Sequence, residues 1–114
     1  MDVPAIDRAT FDALKAATGA DFVPELIDTF LDDAPRMLAD LRAALAARDA
    51  EKFRRTAHSL KSNGNTFGAL TLGAMARTLE LEGMAKADEP ASSLAALDRE
   101  YAKVAAALAL LRDA

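Results

Sequence analysis

The chain has 114 residues, of which 52% are hydrophobic and only 5% aromatic; it contains no cysteine and carries a formal net charge of −4. This length supports one domain around one core, and the missing cysteine excludes disulfides, thiolate metal sites and cysteine nucleophiles. The negative charge argues against a general affinity for nucleic acid or anionic membranes, both of which need a positive field.

Much of the apolar fraction is alanine, and β-branched residues are few, so the composition favours an all-α fold. The opening residues lack the basic start and apolar run of a secretory signal, and no stretch approaches the roughly 18 uninterrupted apolar residues of a spanning helix. A soluble, cytoplasmic domain over residues 1–114 is therefore expected.

Taken in chain order, capping residues and apolar periodicity predict five helices. Asp7 is placed to cap a short first helix over 7–18, marked by Phe11 and Leu14 and stopped by Gly19. Asp21 is read as the start of a second helix over 21–47, whose marks run from Leu26, Ile27, Phe30 and Leu31 to Met37, Leu38, Leu41 and Leu45. Pro35 lies inside that pattern and predicts a kink, since proline removes one backbone hydrogen bond while the periodicity resumes after it.

Asp49 caps a third helix over 50–67, on which Phe53, Ala57, Leu60, Gly64 and Phe67 form one buried stripe that Gly68 ends. A fourth helix over 70–85 carries Leu72, Met75, Ala76 and Leu79, and residues 86–90 read as a polar loop. The last helix, over 91–112, repeats Leu94, Leu97, Tyr101, Val104, Leu108 and Leu111 as a regular seam. Short loops between such helices make neighbours antiparallel, so the expected architecture is an antiparallel up-down four-helix bundle with a short additional N-terminal helix as a lid.

Charge is unevenly spread. Residues 1–50 carry ten acidic and five basic side chains and residues 70–114 seven and five, whereas residues 51–69 hold Lys52, Arg54, Arg55 and Lys61 against Glu51 alone. The chain's one histidine, His58, lies in this basic island. At 100° per residue, Arg54, His58, Lys61 and Asn65 form a second stripe beside the buried one, which puts His58 on the flank of the bundle. Lys61 is three positions on and Arg54 four positions back, the spacings that make neighbours on a helix surface.

A neutral imidazole there is a usable nucleophile toward phosphorus. Two nearby cations are expected to oppose protonation of the ring and then to stabilise an attached phosphoryl group, with Lys61 as the principal donor. Ser62, Gly64 and Asn65 leave low relief around His58 for a partner to approach. Gly64 costs about 1 kcal/mol relative to alanine in a helix, so its presence calls for close helix packing or clearance for that partner. Taken singly, a lone surface histidine or an Arg-Arg-Lys face is more often ordinary solvated surface.

The run Thr56-Ala57-His58-Ser59-Leu60-Lys61-Ser62-Asn63-Gly64-Asn65-Thr66-Phe67-Gly68-Ala69 resembles the signature of the histidine-containing phosphotransfer (HPt) domain family. His58, Leu60, Lys61, Gly64, Phe67 and Gly68 match, and the resemblance extends through Phe30 to Leu45, Arg48-Asp49 and Leu79-Glu80. Ser62 and Asn63 depart from the Gly and Ser that are usual there, a change that bears on partner preference. The resemblance implies that His58 is the phospho-acceptor, that Lys61 stabilises the phosphate, and that Glu80 orients the ring through its other nitrogen.

It also implies transfer between His58 and an aspartate on a response-regulator receiver domain. The receiver supplies Mg²⁺, and a hybrid histidine kinase stands upstream. The chain would then be a monomeric phosphoryl carrier and not an enzyme, binding no cofactor or metal itself. Arg54, Arg55, Ser62, Gly64 and Asn65 are expected to meet the partner, together with an apolar flank formed by Phe11 and Leu14.

Three rivals are weighed against this reading. A helical adaptor bundle without phosphochemistry would make His58 incidental. The phospho-acceptor half of a sensor kinase calls for an acidic residue after the histidine, where Ser59 stands, and for a nucleotide-binding domain. A metal or haem bundle is disfavoured by a single histidine, no cysteine, and Arg55 where a Glu-x-x-His motif needs glutamate.

Overall fold

Among the residues described by the computed structural model, 4–83 and 90–113, all regular structure is helical. Helix α1 spans Arg8–Thr18, α2 Val23–Ala47, α3 Ala50–Thr66, α4 Leu70–Glu82 and α5 Pro90–Asp113. The Asp7 carboxylate accepts from the Thr10 backbone N–H at 3.0 Å and caps α1 as expected. Gly19, at φ 95°, closes it with a backbone bond to Lys15.

Asp21 does not cap α2. The helix opens two residues later, behind Phe22 and without a side-chain cap, because Pro24 occupies its first turn, where a missing N–H and a fixed φ favour helix. Helical structure then continues across Pro35 to Ala47. Arg48 adopts a left-handed conformation at φ 58°, and the N–H groups of Arg48 and Asp49 bond back to Leu45 and Ala44. Asp49 at once accepts from the Lys52 N–H at 3.1 Å and starts α3, so a single short link reverses the chain.

The end of α3 is built in the same way. Gly68, at φ 87°, donates to the Asn65 carbonyl, and Ala69 to the Gly64 carbonyl, which satisfies two helix-end carbonyls in one turn. Gly68 is fixed here by more than its dihedral angle. A Cβ at this position would lie 2.6 Å from the Asp7 carbonyl oxygen, and the Asp7 N–H donates to the Gly68 carbonyl at 2.7 Å. The segment before α1 is thereby pinned to the α3–α4 turn. Helix α4 stops at Glu82 behind Gly83, short of the expected residue 85. The polar loop expected at 86–90 lies outside the described residues except for Pro90, the first residue of α5.

Helices α2, α3, α4 and α5 close a four-membered ring, with α1 laid against α2 and α3. Side-chain pairings give the directions: Asp28 with Arg112 and Arg42 with Asp98 run α2 against α5, and His58 with Glu80 and Asn65 beside Gly73 run α3 against α4. Each pair is antiparallel. The predicted stripes supply the core: Phe53, Leu60, Leu72, Leu94, Leu97, Val104 and Leu108 are all but inaccessible, joined by Ile27 and Leu41. Each such side chain contributes roughly 1.5–3 kcal/mol relative to exposure. Phe30 ties three helices together, with its ring 5.0 Å from Phe67 and 6.2 Å from Tyr101.

Candidate functional site

Helix α3 turns Phe53, Ala57, Leu60 and Gly64 into the core and leaves the next stripe outside. On that outer stripe the His58 side chain is 55% exposed. Its surroundings come from α4. The Glu80 carboxylate, only 14% exposed, accepts from His58 Nδ1 at 2.6 Å and from Lys61 Nζ at 2.8 Å, one oxygen to each. Glu80 therefore joins the two α3 side chains three positions apart into one network.

This geometry fixes the ring. A carboxylate on Nδ1 makes that nitrogen the N–H donor, and the lone pair is then on Nε2. No described residue makes a hydrogen bond to Nε2. The hydrogen bonds from Lys61 first, and then from His58, hold the Glu80 carboxyl below its ordinary pKa of 4.5, against the smaller opposing effect of burial. Glu80 is thus an ionised, acceptor-only partner at neutral pH.

The electrostatics differ from the sequence expectation of two cations beside the ring. Arg54 turns back to Glu51 at 2.7 Å, and Arg55 also lies 3.8 Å from that carboxylate, so the charge that meets the imidazole is the Glu80 anion. Glu51 sits at (i, i+3) and (i, i+4) from the two arginines and draws them toward the start of α3.

The residues expected to meet a partner separate into two groups. Ser62 and Asn65 are exposed on the flank with His58, and Arg54 and Arg55 remain exposed beyond it. Gly64 and Phe11 are buried. A Cβ on Gly64 would touch Ala69 and Leu72 at 3.5 and 3.6 Å, so the glycine serves close packing on α4. Phe11, 3% exposed, belongs to the core, because its helix lies with that face down on α2 and α3. Leu14 stays partly open. With Leu26, Phe30, Asn63, Thr66 and Phe67 it lines an apolar groove of about 290 Å³ between α1, α2 and α3.

Gly73 was not singled out from sequence. A Cβ there would fall 2.0 Å from Asn65 Oδ1, so its absence lets the Asn65 side chain lie across α4. The available signal was a glycine in mid-helix opposite Gly64, which together mark a close helix crossing.

Over residues 25–114 the sequence matches the family model described as the Hpt domain. The chain belongs to the Hpt domain family. It is 27% identical over 114 residues to the phosphorelay protein LuxU of Vibrio harveyi, covering all of this chain and 95% of that one. The crystal structure of histidine-containing phosphotransfer protein B (HptB) from Pseudomonas aeruginosa PAO1 superposes with a TM-score of 0.90 at 30% identity, over 98% of this chain and 97% of the other. The bundle with its extra N-terminal helix is therefore an Hpt fold, and no described helix is long and apolar enough to cross a membrane.

Proposed function

We propose that this chain is a phosphorelay intermediate of two-component signalling in which His58 takes a phosphoryl group from a receiver-domain aspartate or a kinase and passes it to a response-regulator aspartate. The observation that carries the reading is the divided ring: in a half-exposed side chain Nδ1 is held by Glu80, and no described residue makes a hydrogen bond to Nε2.

In the accepting step the Nε2 lone pair forms the N–P bond while the aspartyl O–P bond breaks, its electron pair returning to the aspartate carboxylate. The Nδ1 proton stays in place. The ring then carries positive charge, which the Glu80 carboxylate offsets, and the reverse step regenerates a neutral imidazole without moving a proton. Attack of this kind requires in-line approach, and Ser62, one turn beyond His58, leaves that side unobstructed.

Receiver domains of response regulators and of a hybrid histidine kinase are the partners in this reading, met in the cytoplasm. The receiver brings the acceptor carboxylate and the Mg²⁺ that neutralises phosphoryl charge. This chain brings a positioned nucleophile, so it acts as a carrier and has no kinase activity of its own. The apolar groove beside Leu14 and Phe67 suits an apolar helix face of the receiver, and the exposed Arg54 and Arg55, nearer the start of α3, suit acidic groups elsewhere on it.

The test is incubation of the purified chain with a panel of phosphorylated receiver domains and Mg²⁺, followed by mapping of acid-labile phosphate. Label on His58, lost in His58→Gln with the fold retained, is expected. Label at another residue contradicts the site, and no transfer from any receiver favours a bundle without phosphochemistry.

A further inference from the structure

We propose that Arg77 and Leu81, on the outer face of α4, form part of the docking surface for the receiver domain that exchanges phosphoryl groups with His58, and that the receiver meets them with an apolar segment carrying a carboxylate. The inference rests on the phosphorelay reading and adds to it a contact on the far side of the histidine from the groove between α1, α2 and α3.

Two contacts fix the register of α3 against α4. Glu80 meets His58, and Gly73 lies beneath Asn65, seven residues away along each helix in opposite directions. Leu81 is therefore level with His58 to within about 1.5 Å, and Arg77 lies about one turn along, level with Lys61. At 100° per residue these two side chains fall about 60–100° beyond Glu80, turned away from the buried Leu72, Ala76 and Leu79. They thus share with His58 the outer face of the α3–α4 pair.

Both are open to a partner. Leu81 is 67% exposed, one of four large apolar side chains left exposed among the described residues and the one beside the histidine. Arg77 is exposed and makes no hydrogen bond or ion pair with any described residue. Arg54 and Arg55, by contrast, are drawn to Glu51, and Lys61 to Glu80. Arg77 therefore brings an uncompensated positive charge to this face, and a carboxylate is the group that complements it.

A partner seated over His58 must also cover these residues. Packed helices lie about 8–10 Å apart, and even a small transient interface covers about 500 Å² per partner, a disc of roughly 13 Å radius. A receiver aligned on His58 spans that distance. Covering Leu81 removes apolar surface from water, while Arg77 steers the encounter.

Transfer to the full chain from a phosphorylated receiver with Mg²⁺ tests the surface, with KM and kcat measured separately. Leu81→Glu is expected to raise KM roughly 10-fold or more, the scale of losing a buried leucine, with kcat little changed. Arg77→Ala raises KM about 5-fold at low salt and less at high salt, and Arg77→Lys restores it. Leu110→Glu, the same change at a 76% exposed position on α5, leaves KM as in the wild type. Phosphoramidate, which phosphorylates an imidazole directly with release of ammonia, labels His58 equally fast in wild type and Leu81→Glu.

An unchanged KM in Leu81→Glu or in Arg77→Ala overturns the proposal. So does an equal slowing with phosphoramidate, which places the effect on the ring itself. A concentration-dependent dimer abolished by Leu81→Glu overturns it too, because the occupant is then a second copy of this chain. Thermal melts of each variant separate these results from misfolding. A wild-type chain that accepts from no receiver defeats the phosphorelay reading and this docking with it, whereas normal transfer to both variants defeats the docking alone.

Discussion

The α2–α5 flank and the α3–α4 flank are both tied by carboxylates reaching from one helix to the next, but they are tied to different ends. On the first, Arg42 pairs with Asp98 and Arg112 with Asp28, fixed charges whose side chains are between 36% and 58% exposed. On the second, Glu80 holds an imidazole and an ammonium together, and it is far less exposed than those carboxylates. The helices there also approach through Gly64 and Gly73. One flank uses charge to stitch the bundle. The other uses the same device to set the tautomer of an imidazole, and only a group that can titrate or react gains from that.

His58→Gln separates the two flanks most sharply. Transfer from a phosphorylated receiver should vanish, while stability stays within about 0.5 kcal/mol, as for other surface substitutions; a large drop in melting temperature would show the ring to be structural. Phe53→Ala, on the opposite face of the same helix, should lose about 3–5 kcal/mol of stability in chemical denaturation through the cavity it leaves. A loss under about 1 kcal/mol would place the core elsewhere.

Gly68→Ala comes next, at about 1–3 kcal/mol, because its left-handed backbone and the approach to Asp7 both resist a Cβ. The Asp7 segment should lose protection in hydrogen exchange at the same time. Arg42→Ala is the smallest, at about 0.2–1 kcal/mol, with transfer unchanged. A change in transfer there would erase the distinction between the flanks.

The pH dependence of the Glu80 network has a defined sign. Its carboxyl is held below 4.5 in the folded chain, so its contribution is fully present above that value and is lost as pH falls through the lowered folded value. The stability difference between wild type and Glu80→Ala should therefore shrink as pH falls below 4.5. Growth of the difference as pH falls below 4.5 would contradict the network.

The buried stripe of α3 and the caps at Asp7 and Asp49 were legible in the sequence because each depends on spacing within a single helix. Periodicity also put His58 on the outside. What it could not give was the axial register between helices, and that register is what sets Glu80 opposite His58 and Lys61, and Gly73 beneath Asn65. Glu80 was reached only through the family resemblance.

The other departures share a local cause. Asp21 looks like a cap, yet Pro24 moved the helix start. Arg54 has the spacing of a neighbour to His58, but Glu51 on its other side takes it. Phe11 was read as a docking residue from its place on a short outer helix, whereas its burial depends on which way that helix rolls against α2 and α3. Apolar residues on a lid are more often its attachment than its free surface.

The most direct test of the account is the ¹⁵N spectrum of the single histidine ring before and after exposure to a phosphorylated receiver domain with Mg²⁺. The account predicts that Nε2 becomes coupled to phosphorus while Nδ1 keeps its proton. Phosphorus on Nδ1, or a ring left unchanged while phosphate appears elsewhere on the chain, would contradict it.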